Sequence, residues 1–291
     1  MTPKGLRVSI QACDSLRRDR TVASTPKKQA ENSSTDRQRD PLARGFEILT
    51  HMVETGERSY GVRELGTQMG VSPSTAHRLL ADLEKLGMVR RTQEGGYQLG
   101  LEFLRLSWKL VTRFPLREMA NDLLQEMTDR SGESSFLGIY NDQRHEMMFA
   151  VTVDSPHPLR YMIPLQKWLP LHSGASGLSI LAFLPEEKRK EILHGNLTKV
   201  TENTIIDPEV LSQRIETIRN QGYAVSLGER VTGAIALAAP VFGPGREVVG
   251  TSGLMIPESR FDTGVEAELS ELVKHSAAVL SERMGGTLGT S

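Results

Sequence analysis

Apolar residues between positions 61 and 99 recur at the spacing of two short helices. Val62, Leu65 and Met69 share one face of the first helix, and Gly70 ends that helix in a tight turn. In the second segment, VSPSTAHRLLADLEKLG, apolar residues return at i, i+3, i+4 and i+7, which is typical of one buried helical face. The pattern therefore predicts a helix-turn-helix. The buried face of its second helix consists of Ala76, Leu79, Leu80, Leu83 and Leu86.

The flanking residues extend this prediction to a complete small domain. Ser72 and Pro73 mark the start of the second helix, because serine is a good N-cap and proline costs little at the first helical position. MVRRT and YQL, on either side of QEGG, favour two short strands joined by a glycine turn. The elements together predict a winged helix-turn-helix over residues 41–99. Its first helix is indicated by Phe46, Ile48, Leu49 and Met52, and the inner face of its hairpin by Val89, Tyr97 and Leu99.

Beyond residue 99 the apolar pattern changes between helical and strand spacing. Residues 100–114 predict a helix that links two halves of the chain, and Pro115 ends it. A helix through Arg130 follows, and after it SSFLGIYN, HEMMFAVTVD and LRYMIPL predict three strands. Further helices precede the predicted strands YAVSLGE, GAIALAAPVF and EVVGTSGLMIP, and a last helix covers Val265 to Met284. This order predicts a second domain over residues 115–285, so the fold class is α+β with two domains.

The outward face of the second helix carries small hydroxyls and one arginine. Serine and threonine allow close approach to base edges, and arginine can bind guanine with two hydrogen bonds. Arg90 and Arg91 lie at the base of the predicted hairpin, where they suit backbone phosphates. The alternative is plain three-helix packing, with Arg78 as part of a solvated face. The residues predicted to contact DNA are Ser72, Ser74, Thr75, His77, Arg78, Arg90 and Arg91.

A run of small residues, Ser173 to Gly177, stands at the start of an apolar helix in the second half. The free amides of a helix N-terminus together with small side chains favour a carboxylate. The segment therefore predicts the floor of a pocket for an organic acid. The alternative is that the glycines only let this helix pack closely against a sheet.

Five motifs give the chain a specific resemblance. RGFEIL, VRELGTQMGVSPSTAHRLLADLEKLGMVRR and YQLG resemble the winged-helix half of the IclR family of bacterial transcriptional regulators. LPLHSGASGLSILAFL and GYAVSLGERVTGAIALAAPVF resemble the effector-binding half of that family, in the same order. The resemblance covers roughly residues 41–285. It implies a GAF-like α/β sensor domain with an antiparallel sheet. It also implies a regulator of a catabolic operon that binds a palindromic double-stranded DNA operator as a homodimer or homotetramer.

The resemblance further implies which residues approach the effector, a small organic acid for which an aromatic acid is one candidate. Glu229 equally fits an ordinary surface carboxylate, and Tyr161 and Met162 equally fit a core. Gly174 and Leu178 depart from the family pattern, in which Ser, Thr or Ala and Lys are common at these positions, so the ligand is not assigned. The implied effector residues are Tyr161, Met162, His172, Ser173, Gly174, Ala175, Glu229, Ala236, Leu237, Ser252 and Gly253.

Charge is divided unevenly along the 291 residues. The net charge is −1, yet the acidic excess lies in the second half, which makes that half a poor DNA binder. Residues 1–40 are polar without an apolar period and are predicted to be a disordered tail, and residues 286–291 are predicted to be a short tail. A basic arm that touches DNA is the alternative role for the first of these tails. The single cysteine, Cys13, and the absence of a signal-peptide pattern or a membrane span predict a cytoplasmic protein.

Enzyme chemistry finds little support in the sequence. His172 beside Ser173, or Ser176 within GASG, could suggest a nucleophile, but GASG lacks the Gly-x-Ser-x-Gly spacing of a nucleophile elbow. The seven histidines show no metal-ligand spacing. We therefore predict no catalytic residue, no metal and no cofactor. An enzyme or binding module whose winged helix contacts only proteins is the alternative function.

Overall fold

The computed structural model describes residues 40–286, so the predicted tail over residues 1–39 and the end of the chain from residue 287 lie outside the described residues. The chain divides into two compact units, one up to Leu110 and one from Val111. Within residues 40–286, no helix has both the length and the apolar character needed to cross a membrane.

The first unit contains the predicted helix-turn-helix and hairpin. Tyr97 lies opposite Arg91 in the antiparallel hairpin, and Leu99 lies opposite Val89. The linking helix α4 continues across the boundary between the two units. The elements are α1 (Pro41–Thr55), α2 (Val62–Gln68), α3 (Pro73–Lys85), β1 (Val89–Arg91), β2 (Tyr97–Leu99) and α4 (Leu101–Arg113).

One small apolar core holds this unit together. Leu65 and Leu80 are fully buried in it, and the phenol of Tyr60 donates a hydrogen bond to the carbonyl of Met52 at 2.9 Å. Two residues that the sequence pattern assigned to buried faces are exposed instead, Phe46 at 63% and Leu86 at 64%. Leu86 follows α3 as its C-cap, where the helical face no longer continues. The other buried members of the core are Ile48, Leu49, Met52, Leu79, Val89 and Tyr97.

The second unit is built on a six-stranded sheet in the order β5-β4-β3-β8-β7-β6, and all its neighbouring strands are antiparallel. This confirms the predicted α+β class with an antiparallel sheet. The helices are α5 (Leu116–Ser131), α6 (Gly174–Leu181), α7 (Glu186–Leu193), α8 (Pro208–Gln221) and α9 (Glu266–Arg283). The strands are β3 (Ser134–Asn141), β4 (Glu146–Val153), β5 (Leu169–Pro170), β6 (Ala224–Leu227), β7 (Ala234–Phe242) and β8 (Val248–Pro257).

Helices cover both faces of this sheet. Helices α5 and α9 pack on one face, against alternate residues such as Ile235 and Leu254. Helices α6, α7 and α8 pack on the other face, against the intervening residues such as Ala234 and Met255. Successive side chains of a strand point to opposite faces. Strands β7 and β8 therefore contribute one set of residues to each of two cores.

The predicted strand LRYMIPL does not form. Between β4 and β5 the chain is irregular, apart from a single bridge between Leu165 and Phe149. Pro158 and Pro164 flank the apolar residues of this segment, and a proline has no amide to donate to a sheet. Within this segment Ile163 is buried in the core, whereas Leu159 and Met162 are 65% and 73% exposed.

Two arginine–carboxylate pairs join distant parts of the second unit. Arg260 donates from Nε to Glu133 at 2.7 Å and from a terminal nitrogen to the other Glu133 oxygen at 2.5 Å, and it also donates to the carbonyl of Leu159 at 2.7 Å. Arg283 binds both carboxylate oxygens of Asp122 at 2.6 and 2.7 Å. The Glu133 side chain is 8% exposed, whereas that of Asp122 is 62% exposed.

We expect these two pairs to differ in their contribution to stability. Arg260→Ala leaves a buried carboxylate without its partner and should lower the free energy of unfolding by about 3 kcal/mol. Arg283→Ala, the matched control, exposes a carboxylate that water already solvates and should cost less than about 1 kcal/mol. Urea unfolding followed by circular dichroism measures both losses. Equal losses would contradict the role given to burial.

Candidate DNA interface and ligand pocket

The N-terminus of α3 presents a cluster of three hydroxyls. Ser72 is the N-cap, and its Oγ accepts a hydrogen bond from the Thr75 amide at 3.2 Å. The same Oγ lies 2.9 Å from the hydroxyl of Ser74 and 2.9 Å from that of Thr75. Because hydroxyls both donate and accept, the cluster can meet a base edge or a phosphate.

The exposed face of α3 follows from its buried face. Ala76, Leu79 and Leu80 are buried, so the side chains of Ser74, His77 and Arg78 project to solvent. The structure therefore brings these predicted DNA-contacting residues together on one surface of one helix. Their contact with DNA stays a prediction.

Arg90 and Arg91 are exposed on strand β1 of the hairpin. Arg91 lies opposite Tyr97, and its guanidinium stacks over the tyrosine ring at 5.9 Å from the centroid. Arg90 lies opposite Gln98. Both arginines stand apart from α3 in the sequence but belong to the same unit, where they suit phosphate contacts better than base reading.

In the second unit, a cavity of about 20 Å³ lies between the N-terminus of α6 and the sheet. This volume suffices for about one water molecule. Strands β3, β4, β6, β7 and β8, helix α6 and the segment that joins β6 to β7 meet here. The lining residues are Phe136, Phe149, Gly174, Ala175, Ser176, Ser226, Glu229, Arg230, Val231, Ala234, Ala236 and Met255.

Four of the residues implied by the family resemblance line this cavity: Gly174, Ala175, Glu229 and Ala236. Gly253 lies just behind the lining, since a Cβ built on it would meet the ring of Phe136 at 2.6 Å. The structure therefore brings the small-residue turn at the start of α6 together with Glu229 and strands β7 and β8, which follow that turn by more than 50 residues.

Leu237 and Ser252 do not belong to this group. Both lie on the opposite face of the sheet, where Leu237 packs in the core beneath α5 and α9. The Ser252 hydroxyl lies 3.1 Å from the hydroxyl of Ser276, a residue of α9. The expectation that they share a pocket with their neighbours Ala236 and Gly253 is corrected, because adjacent residues of a strand face opposite ways. By the same alternation Ala234 and Met255 face the cavity, and neither was predicted from the sequence.

The remaining implied residues lie around the cavity and do not line it. Met162 is 73% exposed. The Tyr161 phenol donates to the Thr232 carbonyl at 3.1 Å, so it supports the segment between β6 and β7. His172 is buried, with Nε2 at 2.8 Å from the Thr198 carbonyl. Ser173 is fully buried, and its hydroxyl has no hydrogen-bond partner within residues 40–286.

The first two amides of α6 already have partners within the protein. The Gly174 amide donates to Oε2 of Glu229 at 3.4 Å, and the Ala175 amide donates to the Ser226 hydroxyl at 2.9 Å. The sequence predicts that these amides are open to an external carboxylate. In the structure the hydroxyl of Ser226 on β6 and the carboxylate of Glu229 in the segment after β6 occupy that position.

Glu229 is buried and forms an ion pair with Arg214. Its Oε1 accepts a hydrogen bond from Arg214 at 2.6 Å, and the exposed fraction of its side chain is 6%. Its carbonyl accepts from the hydroxyls of Thr204 at 2.7 Å and Thr201 at 3.1 Å. These contacts exclude the surface-carboxylate interpretation of Glu229.

Arg230 is the largest polar side chain of the lining, and no role was predicted for it from the sequence. Its guanidinium donates to the Ser176 hydroxyl at 2.6 Å, to the Pro170 carbonyl at 3.0 Å and to the Ser173 carbonyl. Its Nε is buried without a partner within residues 40–286. Burial lowers the pKa of Arg230 to about 10, so the group still carries its charge at neutral pH. In the sequence, the one signal that Arg230 could belong to the site was its position directly after Glu229.

Residues 41–93 match the IclR helix-turn-helix domain, and residues 108–282 match the C-terminal domain of the bacterial transcriptional regulator IclR. The chain belongs to the IclR family. The HTH-type transcriptional regulator KipR of Bacillus subtilis is 31% identical, over 79% of this chain and 91% of that protein. IclR-family proteins are transcriptional regulators that bind DNA.

Solved structures of IclR-family proteins share the fold. The crystal structure of Thermotoga maritima IclR is 30% identical, covers 84% of this chain and 98% of its own, and superposes with a TM-score of 0.64. An IclR homologue from Microbacterium hydrocarbonoxydans, solved in complex with 4-hydroxybenzoate, is 22% identical, covers 84% of this chain and 99% of its own, and superposes with a TM-score of 0.71.

Gly174 of this IclR-family regulator makes room for Arg230. Its φ is 75°, and an added Cβ would lie 3.3 Å from Cβ and 3.4 Å from Cζ of Arg230. We expect Gly174→Ala to lower the free energy of unfolding by about 1–2 kcal/mol through its backbone conformation. Crowding against Arg230 should add about 1 kcal/mol to that loss. Thermal unfolding measures the total.

Gly222→Ala is the matched control, because Gly222 has a φ of 83° and its added Cβ would make only an ordinary contact, 3.6 Å from Lys274. In an Arg230→Ala background the part of the excess loss that comes from the guanidinium should disappear, whereas the part that comes from the Arg230 Cβ, which alanine keeps, should remain, as a double-mutant cycle measures. The same loss at both glycines would rule out crowding by Arg230.

Proposed function

We propose that this protein is a ligand-responsive regulator that binds a palindromic operator as a homodimer or homotetramer and is controlled by a small organic acid. The observation that carries the proposal is the presence, in one chain, of an exposed hydroxyl and arginine face on α3 and of a small cavity beneath α6 that has an apolar wall and a polar end. The first suits DNA. The second suits a small ligand once a lining side chain moves, because its volume of about 20 Å³ holds about one water molecule. A catabolic operon is the class of target that we expect.

DNA recognition is assigned to the face of α3. Ser72, Ser74 and Thr75 offer hydroxyls at the helix N-terminus, where amide dipoles also favour a phosphate. Arg78 is exposed one turn further along the helix and can reach a base edge. Arg90 and Arg91 contribute charge to phosphates, and His77 flanks the reading face.

Dimerisation is supported by exposed apolar residues on α1 and α4. No residue of α4 is buried, and Leu101 and Val111 are 75% and 66% exposed on one face of this helix. On α1, Leu42 and Phe46 are 68% and 63% exposed. Exposed apolar residues grouped in this way are typical of a protein interface, and a second copy of the chain is the partner that a palindromic operator requires.

Control by an organic acid is assigned to the cavity beneath α6. An apolar wall of Phe136, Phe149 and Met255 faces a polar end that contains Arg230 and Glu229. Pockets with a mostly apolar lining and a few convergent polar groups are typical of small-molecule sites. A ligand that binds two shapes of the protein with different affinity then changes the affinity for one operator spacing. The homologue solved with 4-hydroxybenzoate supports an acid of similar size as a candidate.

Replacement of Arg78 tests the DNA assignment. We expect Arg78→Ala to weaken specific operator binding by about 1–3 kcal/mol, or roughly 5- to 150-fold in Kd. The measurement is fluorescence anisotropy with DNA from upstream of the protein's own gene, against a scrambled duplex, over a series of salt concentrations. Lys85→Ala is the control, because Lys85 is exposed on the same helix and pairs with Asp82. Unchanged operator affinity in Arg78→Ala would refute its role.

Replacement of two apolar residues of α4 tests the assembly. We expect Leu101→Glu/Val111→Glu to shift the protein towards monomers, because two carboxylates would have to be desolvated at the interface. Analytical ultracentrifugation measures the shift. Leu159→Glu is the control, since Leu159 is an equally exposed leucine, at 65%, outside α1 and α4. If the double variant sediments like the parent protein, α4 is not the interface.

A further inference from the structure

The cavity beneath α6 carries one positive charge that the protein does not neutralise. Glu229 and Arg230 line the cavity, and Arg214 lies behind Glu229 and pairs with it at 2.6 Å. Glu229 also attracts Arg230 through space, so the three side chains together carry a net charge of +1. Within residues 40–286, no carboxylate lies within 4.0 Å of the Arg230 guanidinium. An unpaired charge out of water is costly, so this position favours an anion.

The groups that hold Arg230 are all uncharged. Its terminal nitrogens meet the Ser176 hydroxyl, the carbonyls of Pro170 and Ser173, and the sulfur of Met147 at 3.9 Å. Its Nε is buried and has no acceptor in the described chain. A carboxylate accepts from a guanidinium more strongly than a carbonyl does, and it can accept from two nitrogens at once. An organic anion can therefore replace some of these acceptors.

The other residues of the lining indicate what the uncharged part of such an anion would contact. Phe136 and Phe149 meet edge to face, with ring centroids 4.8 Å apart, and Met255 and Ala236 lie beside them. These walls are apolar. The cavity measures about 20 Å³, so any acid larger than a water molecule enters only when a lining side chain moves. Arg230 is the longest side chain of the lining and is held only by neutral acceptors.

We infer that Arg230 is the charge receptor of this pocket and that the effector is a monoanionic carboxylic acid with an apolar body. The inference rests on the proposed function for the existence of an effector, and it adds the residue that recognises it and the charge that the ligand carries. The amides of α6 serve a different purpose, since Glu229 and Ser226 already occupy them. Arg214 holds Glu229 in that position and is a positioning residue.

The experiment compares acids with their uncharged amides on the full-length protein. Calorimetric titration with acetate, benzoate and 4-hydroxybenzoate, each at up to about 10 mM, detects sites with a Kd of about 1 mM or below. We expect benzoate or 4-hydroxybenzoate to bind at least about 10-fold more tightly than the matching amide, because the amide lacks the charge. This comparison uses the unmodified protein. Failure of all three acids to bind, or equal affinity of acid and amide, would overturn the inference.

Variants then test the residue itself. Arg230→Gln should weaken binding of the acid at least about 10-fold and leave that of the amide within about 2-fold. Arg230→Lys keeps the charge and should restore part of the affinity. Arg219→Gln is the control, because Arg219 also donates to a carbonyl, that of Ala182 at 3.1 Å, but lies outside the lining. An acid affinity that survives in Arg230→Gln would assign recognition to another group.

The outcome separates this inference from the proposed function. The titrations contain no DNA, so they report on Arg230 alone. Operator binding with and without the same acid reports on regulation. Acid binding that depends on Arg230 without any effect on operator binding would sustain the receptor role and refute the proposed control. An operator response to an acid that is insensitive to Arg230→Gln would do the reverse.

Discussion

The central strands of the sensor unit are covered on both faces, and this constraint decides what each of their residues can do. Helices α5 and α9 occupy one face of the sheet, and α6, α7 and α8 occupy the other. Every second residue of β7 and β8 therefore belongs to a core that no ligand reaches. Ala236 and Leu237 are neighbours in the sequence, yet one lines the cavity and the other is sealed beneath α9. The strand period of two, and not proximity in sequence, defines the pocket.

A second consequence concerns the start of α6. Ser226 on β6 and Glu229 in the segment after β6 accept hydrogen bonds from the first two amides of this helix. A helix N-terminus that would be an anion site in isolation is thereby satisfied from within the chain. The positive group that remains near the cavity is Arg230, the residue after Glu229. Gly174 leaves the space that the Arg230 side chain fills. The chemistry of the pocket thus depends on two elements that are more than 50 residues apart.

The DNA-binding unit behaves differently, because its organisation is local. The N-cap at Ser72, the proline after it and the leucine face lie within one short stretch, and each acts through neighbours along the helix. Because the leucine face of α3 is buried, the helical period directs the side chains of Ser74, His77 and Arg78 to solvent. The two exceptions, Phe46 and Leu86, are apolar residues for which this unit alone offers no partner.

The amino-acid sequence by itself determined most of the elements, the α+β class, the family and the outward face of α3, because periodicity and capping act over a few residues. It also located the turn beneath α6 and four residues of the cavity lining. When both faces of a strand are apolar, the sequence could not determine which face of the sheet each residue occupies. Leu237 and Ser252 were therefore expected at the pocket, whereas they lie on the opposite face of the sheet. Only the tertiary structure decided that the amides of α6 are already hydrogen-bonded and that Arg230 is the charged group without a carboxylate partner. That result depends on contacts between distant segments, and no local pattern records them.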